Sequence, residues 1–237
     1  MKATVAQLAQ LPGVWRGGEL EHVVHATVAT GHDRLDAQLP GGGWPMGTLS
    51  EVLHDGVGIG EVSFLAGALA RACGPERIVA WIHAPHLPYA PSLARAGLDP
   101  ARCLVVRPAD PEDALWAAEQ CLKSGACGAV LLWPDPRVEY ASLRRLQMAA
   151  EAGRSMAVMY RSTAAERMST PAHLRVVLAR EQGLLELRIP KRRGPPLASP
   201  IVLAVGRIAA PFAPAPQPKA SPPREDARVR ALQLVRH

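Results

Sequence analysis

Leu39-Pro-Gly-Gly-Gly-Trp-Pro-Met-Gly-Thr-Leu-Ser-Glu-Val-Leu-His-Asp-Gly-Val-Gly-Ile-Gly-Glu-Val-Ser63 is the stretch whose reading decides the fold. It reads as a glycine-rich turn, a short strand from Thr48 to Leu53, a second glycine-rich loop and the start of a helix. Strand, glycine-rich loop and helix together cradle nucleotide phosphates, because a tight loop aims backbone N–H groups at the anion. Such a loop should close on Gly-Lys-Ser/Thr, yet this one closes on Gly60-Glu61-Val62. The frame of a phosphate loop is present and its chemistry is missing.

Downstream, strands and helices alternate. Glu61 to Cys73 reads as a helix with Phe64, Leu65 and Leu69 on its apolar side, closed by Gly74-Pro75. Arg77 to His83 is a buried-strand run, Tyr89 to Ala96 a short helix ended by Gly97, and Cys103 to Val106 another strand. Asp110-Pro111-Glu112 combines an N-cap residue, proline at the first helical position and acids in the first turn. That helix runs to Ser124 and stops at Gly125. Ala129 to Trp133 is the most apolar strand, Glu139 to Ala152 a helix carrying Arg144 and Arg145, and Ser155 to Tyr160 a strand. This alternation implies an α/β fold with a mainly parallel central sheet flanked by helices. After Thr170 the runs at 174–179, 184–189 and 201–205 have no helix between them, so antiparallel edge strands are expected.

Three parts follow: an N-terminal helix and connector (1–26), an α/β core (27–206), and a Pro-rich linker with a flexible C-terminal tail (207–237). Residues 4–11 read as a helix stopped by Pro12 and Gly13, while Val14 to His25 carries no assignment. Pro211 to Pro223 has linker composition, and Glu225 to Val235 places Val229, Leu232 and Val235 loosely on one side.

The composition bounds the function classes. A chain of 237 residues can bury a full core, and with aromatics at 4% that core must be built from Val, Leu, Ala and Ile. A net charge of +6 permits contact with nucleic acid or an acidic protein, or simply aids solubility. Cys73, Cys103, Cys121 and Cys127 have neither CxxC nor zinc-site spacing and read as small buried hydrophobes of a reducing cytoplasm. Met1 to Trp15 lacks a signal peptide's apolar core, and no apolar run approaches the ~18 residues of a membrane span. A cytoplasmic protein without membrane contact, metal or cofactor is expected.

The order Thr30-Gly-His-Asp-Arg-Leu-Asp36, Gly41-Gly-Gly-Trp-Pro-Met-Gly47 and Glu51-Val52 resembles the entry to the ATPase core of RecA-type recombinases. The resemblance continues through Trp81-Ile-His-Ala-Pro-His86, Ala94-Arg-Ala-Gly-Leu-Asp99, Glu112-Asp-Ala-Leu115 and Ser124-Gly125, and covers roughly residues 27–205. With the short N-terminal segment, Lys191-Arg-Arg193 and the Pro-rich tail, the chain resembles the ImuA family of translesion-synthesis proteins, also described as RecA-like or SulA-like. The resemblance implies a RecA-like P-loop NTPase core and a role in the SOS response to DNA damage. The partners it implies are an ImuB-like polymerase homologue, a second DnaE-type polymerase through that complex, and RecA itself.

The departures from the recombinase pattern are systematic. Asp55 stands where the resemblance places the loop's first Gly, Glu61 at the phosphate-binding Lys and Val62 at the magnesium-holding hydroxyl, with Ser63 one position late. Pro85 falls at the catalytic Glu, Trp133 at the acid ending the apolar strand, and Arg161 near the polar sensor. A unit charge ~4 Å from a phosphate is worth about 4 kcal/mol at an effective dielectric of ~20. Exchanging Lys for Glu swings this by roughly twice as much against nucleotide. The expectation is a pseudo-ATPase with no catalytic residue. Its rivals are a DNA-stimulated ATPase and a SulA-like division inhibitor.

Each candidate site has a plainer counterpart. Gly56, Gly58 and Gly60 are a vestigial nucleotide loop or, on the preferred reading, a strand–helix turn that needs glycine. Asp55 and Glu61 could hold a partner's cation, or merely stabilise a helix N-terminus. Arg175, Arg188, Lys191, Arg192 and Arg193 form a candidate patch for DNA phosphates or an acidic partner, against a solvated hairpin. Arg161, Arg167 and the nearby Ser/Thr residues mark a remnant DNA loop, reduced to about Ser162–Pro171, against the preferred reading of a disordered surface loop. Arg224, Arg228, Arg230, Leu232 and Leu234 form a candidate partner-docking tail, against a frayed terminus.

Overall fold

Thr48–Leu53 (β3), buried at all six positions, is the strand on which the sheet is centred. The computed structural model describes residues 26–194, 197 and 199–204. Before β3 come β1 (Thr27–Val28), a four-residue helix α1 (Asp33–Asp36) and β2 (Trp44–Pro45). After it come α2 (Ala66–Cys73), β4 (Ile78–Ile82), α3 (Ala90–Arg95), β5 (Cys103–Val106), α4 (Pro111–Lys123), β6 (Cys127–Leu132), α5 (Tyr140–Gly153) and β7 (Met156–Arg161). The chain ends its described part in β8 (Leu174–Glu181), β9 (Leu184–Lys191) and β10 (Ile201–Leu203).

Eight strands form one sheet in the order β10-β9-β8-β3-β7-β6-β4-β5. The pairs from β8 through β5 are parallel, and β8–β9–β10 is antiparallel, as the loss of helical periodicity after Thr170 implies. Two-sided burial explains why the central strands read as continuous apolar runs. Val52, Val79, Trp81, Leu131, Val158 and Val176 face a core that includes Phe64, Leu65 and Leu69 beside α2. Leu49, Ala80, Ile82, Val130, Leu132 and Met159 face the other way, onto α4 and α5. At the foot of that second layer Gly153 allows a close approach, since a Cβ there would lie 1.7 Å from the Leu122 carbonyl oxygen.

The strand expectations agree with the structure to within one or two residues. The helix expected from Glu61 begins at Ala66, after a 3-10 turn over Ser63–Leu65. The β1–β2 pair and α1 were not expected. Two-residue strands exist only through their pairing (Thr27 with Pro45, Val28 with Trp44), which no local pattern announces. The α1 turn is fixed by the Asp36 carboxylate, which accepts from the Thr30 N–H (2.9 Å) and hydroxyl (2.7 Å). The expected helix at 4–11, the linker and the tail lie outside the described residues. Among the described residues no helix is long and apolar enough to cross a membrane.

Candidate functional site

The chain leaves β3 at Leu53 and coils through His54–Val62 before the turn into α2. Gly56, Gly58 and Gly60 all adopt positive φ (81°, 74° and 104°), a backbone region that side chains with a Cβ resist. This coil turns N–H groups inward, as an anion-binding loop requires. The anion they receive belongs to the chain itself. The Gly58 N–H donates to Glu61 Oε1 (3.2 Å) and the Gly60 N–H to Glu61 Oε2 (3.0 Å). Glu61 therefore satisfies these inward-turned donors, and its carboxylate stands where the resemblance places a lysine.

The rest of the loop is tied to two strands and to the 3-10 turn that follows β7. Asp55 accepts from the Ser162 hydroxyl (2.8 Å) and the Thr163 N–H (3.2 Å), and also from the Thr163 hydroxyl. These bonds, Thr163's first and Ser162's next, hold its carboxyl below the usual carboxylate range. Arg180 of β8 donates to the Ile59 carbonyl (2.8 Å), and the Tyr160 hydroxyl of β7 donates to the Glu61 carbonyl (3.2 Å). Burial, assisted by the Glu61 charge, pushes the Tyr160 phenol well above its ordinary pKa. Val62 packs against the core and Ser63 opens the 3-10 turn.

Beneath this loop the C-terminal end of the sheet is filled by aromatic rings. Trp133 is stacked between Trp81 (6.1 Å between centroids, 14° between planes) and Tyr160 (4.5 Å, 10°). His54 meets Tyr160 edge-on at 6.0 Å. The position that the resemblance assigned to an acid thus holds a ring stacked with two others.

The basic group must be divided, and two of its members are corrected. Arg161 and Arg175 are not on a surface patch: their side chains are 4% and 6% exposed and both hold Glu51, which is fully buried. Arg161 Nη1 donates to Glu51 Oε1 at 3.1 Å and Arg175 Nε to Oε2 at 2.6 Å. Burying two guanidiniums is tolerable only around such a counter-charge. Arg175 also donates to the carbonyls of Glu166 (2.8 Å) and Met168 (3.1 Å), so the pair nails the 162–171 loop to the sheet.

Arg188 grips the Glu166 carboxylate with both arms (2.5 and 2.7 Å), and that contact lowers the Glu166 pKa. Lys191 donates to the Thr170 carbonyl (2.8 Å), and partial burial lowers its ammonium pKa. Arg192 donates to the Gln38 carbonyl. Arg167 and Arg193 lie exposed. Arg224, Arg228, Arg230, Leu232 and Leu234 are outside the described residues.

Glu51 is the residue that the sequence reading quoted without giving it a task. Its signal was available: a lone acid inside the buried run Thr48–Leu53, while two other buried runs end at Arg161 and begin beside Arg175. Among the described residues no cluster of His, Cys, Asp and Glu is placed to hold a metal ion.

No family model matches the chain. Cell division inhibitor SulA of Edwardsiella piscicida is 35% identical over 99 residues, covering 41% of this chain and 58% of the relative. RecA of Cutibacterium acnes is 31% identical over 119 residues and RecA of Salinispora arenicola 35% over 120, each covering 50% of this chain. The chain thus spans somewhat over half the length of its SulA relative and 34% of the RecA relatives. The crystal structure of SulA from Pseudomonas aeruginosa matches 48% of this chain and 97% of its own, with 25% identity and a TM-score of 0.40. The chain is a distant relative of RecA and SulA.

Proposed function

We propose that this chain is a non-catalytic, RecA-like accessory protein of SOS-induced translesion DNA synthesis, of the ImuA kind, acting as a scaffold for which nucleotide is dispensable. The observation that carries the non-catalytic half is the seat of Glu61 on the Gly58 and Gly60 N–H groups. An incoming phosphate would have to displace a carboxylate covalently part of the loop, then remain beside its charge. The loop offers neither the lysine nor the adjacent hydroxyl that phosphoryl transfer uses to hold phosphate and magnesium. The Trp81–Trp133–Tyr160 stack fills the end of the sheet where the resemblance would require an acid.

The partner half rests on the order of the resembling motifs together with the distant relationship to RecA. The partners are an ImuB-like polymerase homologue, a second DnaE-type polymerase through that complex, and RecA. Direct DNA contact becomes secondary on this reading, because Arg161 and Arg175 are committed to Glu51. The core then spans 27–206, with 1–26 and 207–237 as appendages.

Two measurements test the proposal. The full chain should co-elute with the ImuB-like protein and show no ATP turnover with or without single-stranded DNA. Failure of the full chain to capture that partner overturns the accessory role. Hydrolysis that substitutions within 55–63 abolish overturns the non-catalytic half. A chain ending at Ala210 that binds equally well removes the tail from the docking site.

A second reading, a division inhibitor, is favoured by the identity to SulA over 99 residues. It wins if expression blocks septation and the chain binds the division tubulin directly.

A further inference from the structure

Among the described residues, the antiparallel end of the sheet has one face in the core and one on which no helix lies. Leu185, Leu187, Ile201 and Leu203 point inward. Strand register fixes what lies on the outer face: Ala179, Glu186 and Val202 form one row across β8, β9 and β10, and Glu181 stands beside Leu184 in the next. Leu184 is 43% exposed and Val202 39%, with Ala179 and Glu181 also open to solvent. The 3-10 turn Thr163–Arg167 covers only the far end of this face, where Ala165 packs on Val177 and Leu53. There Glu166 takes both arms of Arg188, the cation two residues along the strand from Glu186. Helices α4 and α5 lie over the opposite half of the sheet. What remains is an apolar patch carrying two carboxylates.

We propose that this face is the docking site of the chain's own C-terminal segment, residues 228–235, held in cis. The inference does not depend on the accessory role. The chain passes Val202 on its way out of β10, so everything after Ala204 is tethered at the rim of the patch. Residues 205–237 carry six Lys and Arg against two acids. Within 228–235, Arg228 and Arg230 complement Glu181 and Glu186, while Val229, Leu232, Leu234 and Val235 match Leu184, Val202 and Ala179. The connecting residues 205–227 far exceed the width of three strands at ~4.8 Å each, so reach does not limit the contact. A tether of this length holds the segment at roughly millimolar effective concentration, which lets a weak contact form. Docking in cis also conceals the segment from other proteins until they compete it away.

Hydrogen exchange on the full-length protein tests this. With an intrinsic Kd of ~0.1 mM, amides of 228–235 should exchange about tenfold more slowly than in a free peptide of the same sequence. E181K/E186K should remove that protection, R228E/R230E should remove it too, and the combined swap should restore it. Val202→Ser provides a neutral test of the same patch should the charge reversals alter exchange in β3 or β6. Absence of protection in the full chain overturns the proposal. So does protection that rises with protein concentration, which assigns the face to a second copy. Protection indifferent to both the Glu reversals and Val202→Ser places the segment elsewhere and overturns it as well.

Discussion

Replacing Glu61 should open the loop to anions, and the expected size of the effect can be worked from the geometry. Its carboxylate sits at hydrogen-bond distance from the Gly58 and Gly60 N–H groups, so a phosphate on the same donors would lie ~4 Å from the charge. At an effective dielectric of ~20 the repulsion is about 4 kcal/mol; Glu61 is only half-buried, and a dielectric of ~40 gives about 2 kcal/mol. Glu61→Gln retains size and one acceptor but removes the charge. It should therefore raise affinity for inorganic pyrophosphate by about thirtyfold to a thousandfold, starting from wild-type binding weaker than millimolar. Glu61→Lys should gain further. Isothermal titration with pyrophosphate, beside thermal melts to confirm folding, reads the effect directly. Micromolar binding by the wild type, or no gain in either folded variant, would refute the view that this side chain closes the loop.

Other outcomes follow from the contacts around it. Glu51→Gln leaves Arg161 and Arg175 buried without a counter-charge, and urea denaturation should show a loss of about 3–5 kcal/mol. Replacing all three residues by apolar ones of similar volume should instead be nearly neutral. The depressed Asp55 pKa means its tether contributes above the ordinary carboxylate value of 3.8 and fades as pH falls through the lower folded value. The protection of amides in the Ser162–Met168 segment, referenced to the intrinsic exchange rate at each pH, should thus fall in acid for the wild type, and Asp55→Asn should already lack it at neutral pH. Gly153→Ala forces a Cβ against the Leu122 carbonyl, and denaturation should register a loss of about 1–3 kcal/mol or more.

The parallel core was legible because its signals are local. Strands β4 and β6 are uninterrupted apolar runs and β7 is one up to Arg161, while Gly74, Gly97 and Gly125 punctuate the helices with positive φ. The β1–β2 pair was not legible because two residues have no period. The basic group was misread for a related reason. The sequence places Arg161, Arg175, Arg188 and Lys191 near one another along the chain, and says nothing of which of them the fold buries around Glu51.

The sequence alone determined the α/β alternation and the antiparallel end, which are properties of residue type and spacing. Its resemblance to recombinases implies in addition the loss of lysine, hydroxyl and acid from the phosphate-loop positions. Only the tertiary structure decided what took their place. Glu51 meets its arginines across 110 and 124 residues, and Asp55 meets Thr163 across 108. Such contacts depend on which strands become neighbours. Glu61 is the local exception: its partners are one and three residues away, but its carboxylate can reach them only because three glycines coil the loop around it. The glycine geometry that the resemblance assigns to a nucleotide here holds the chain's own acid.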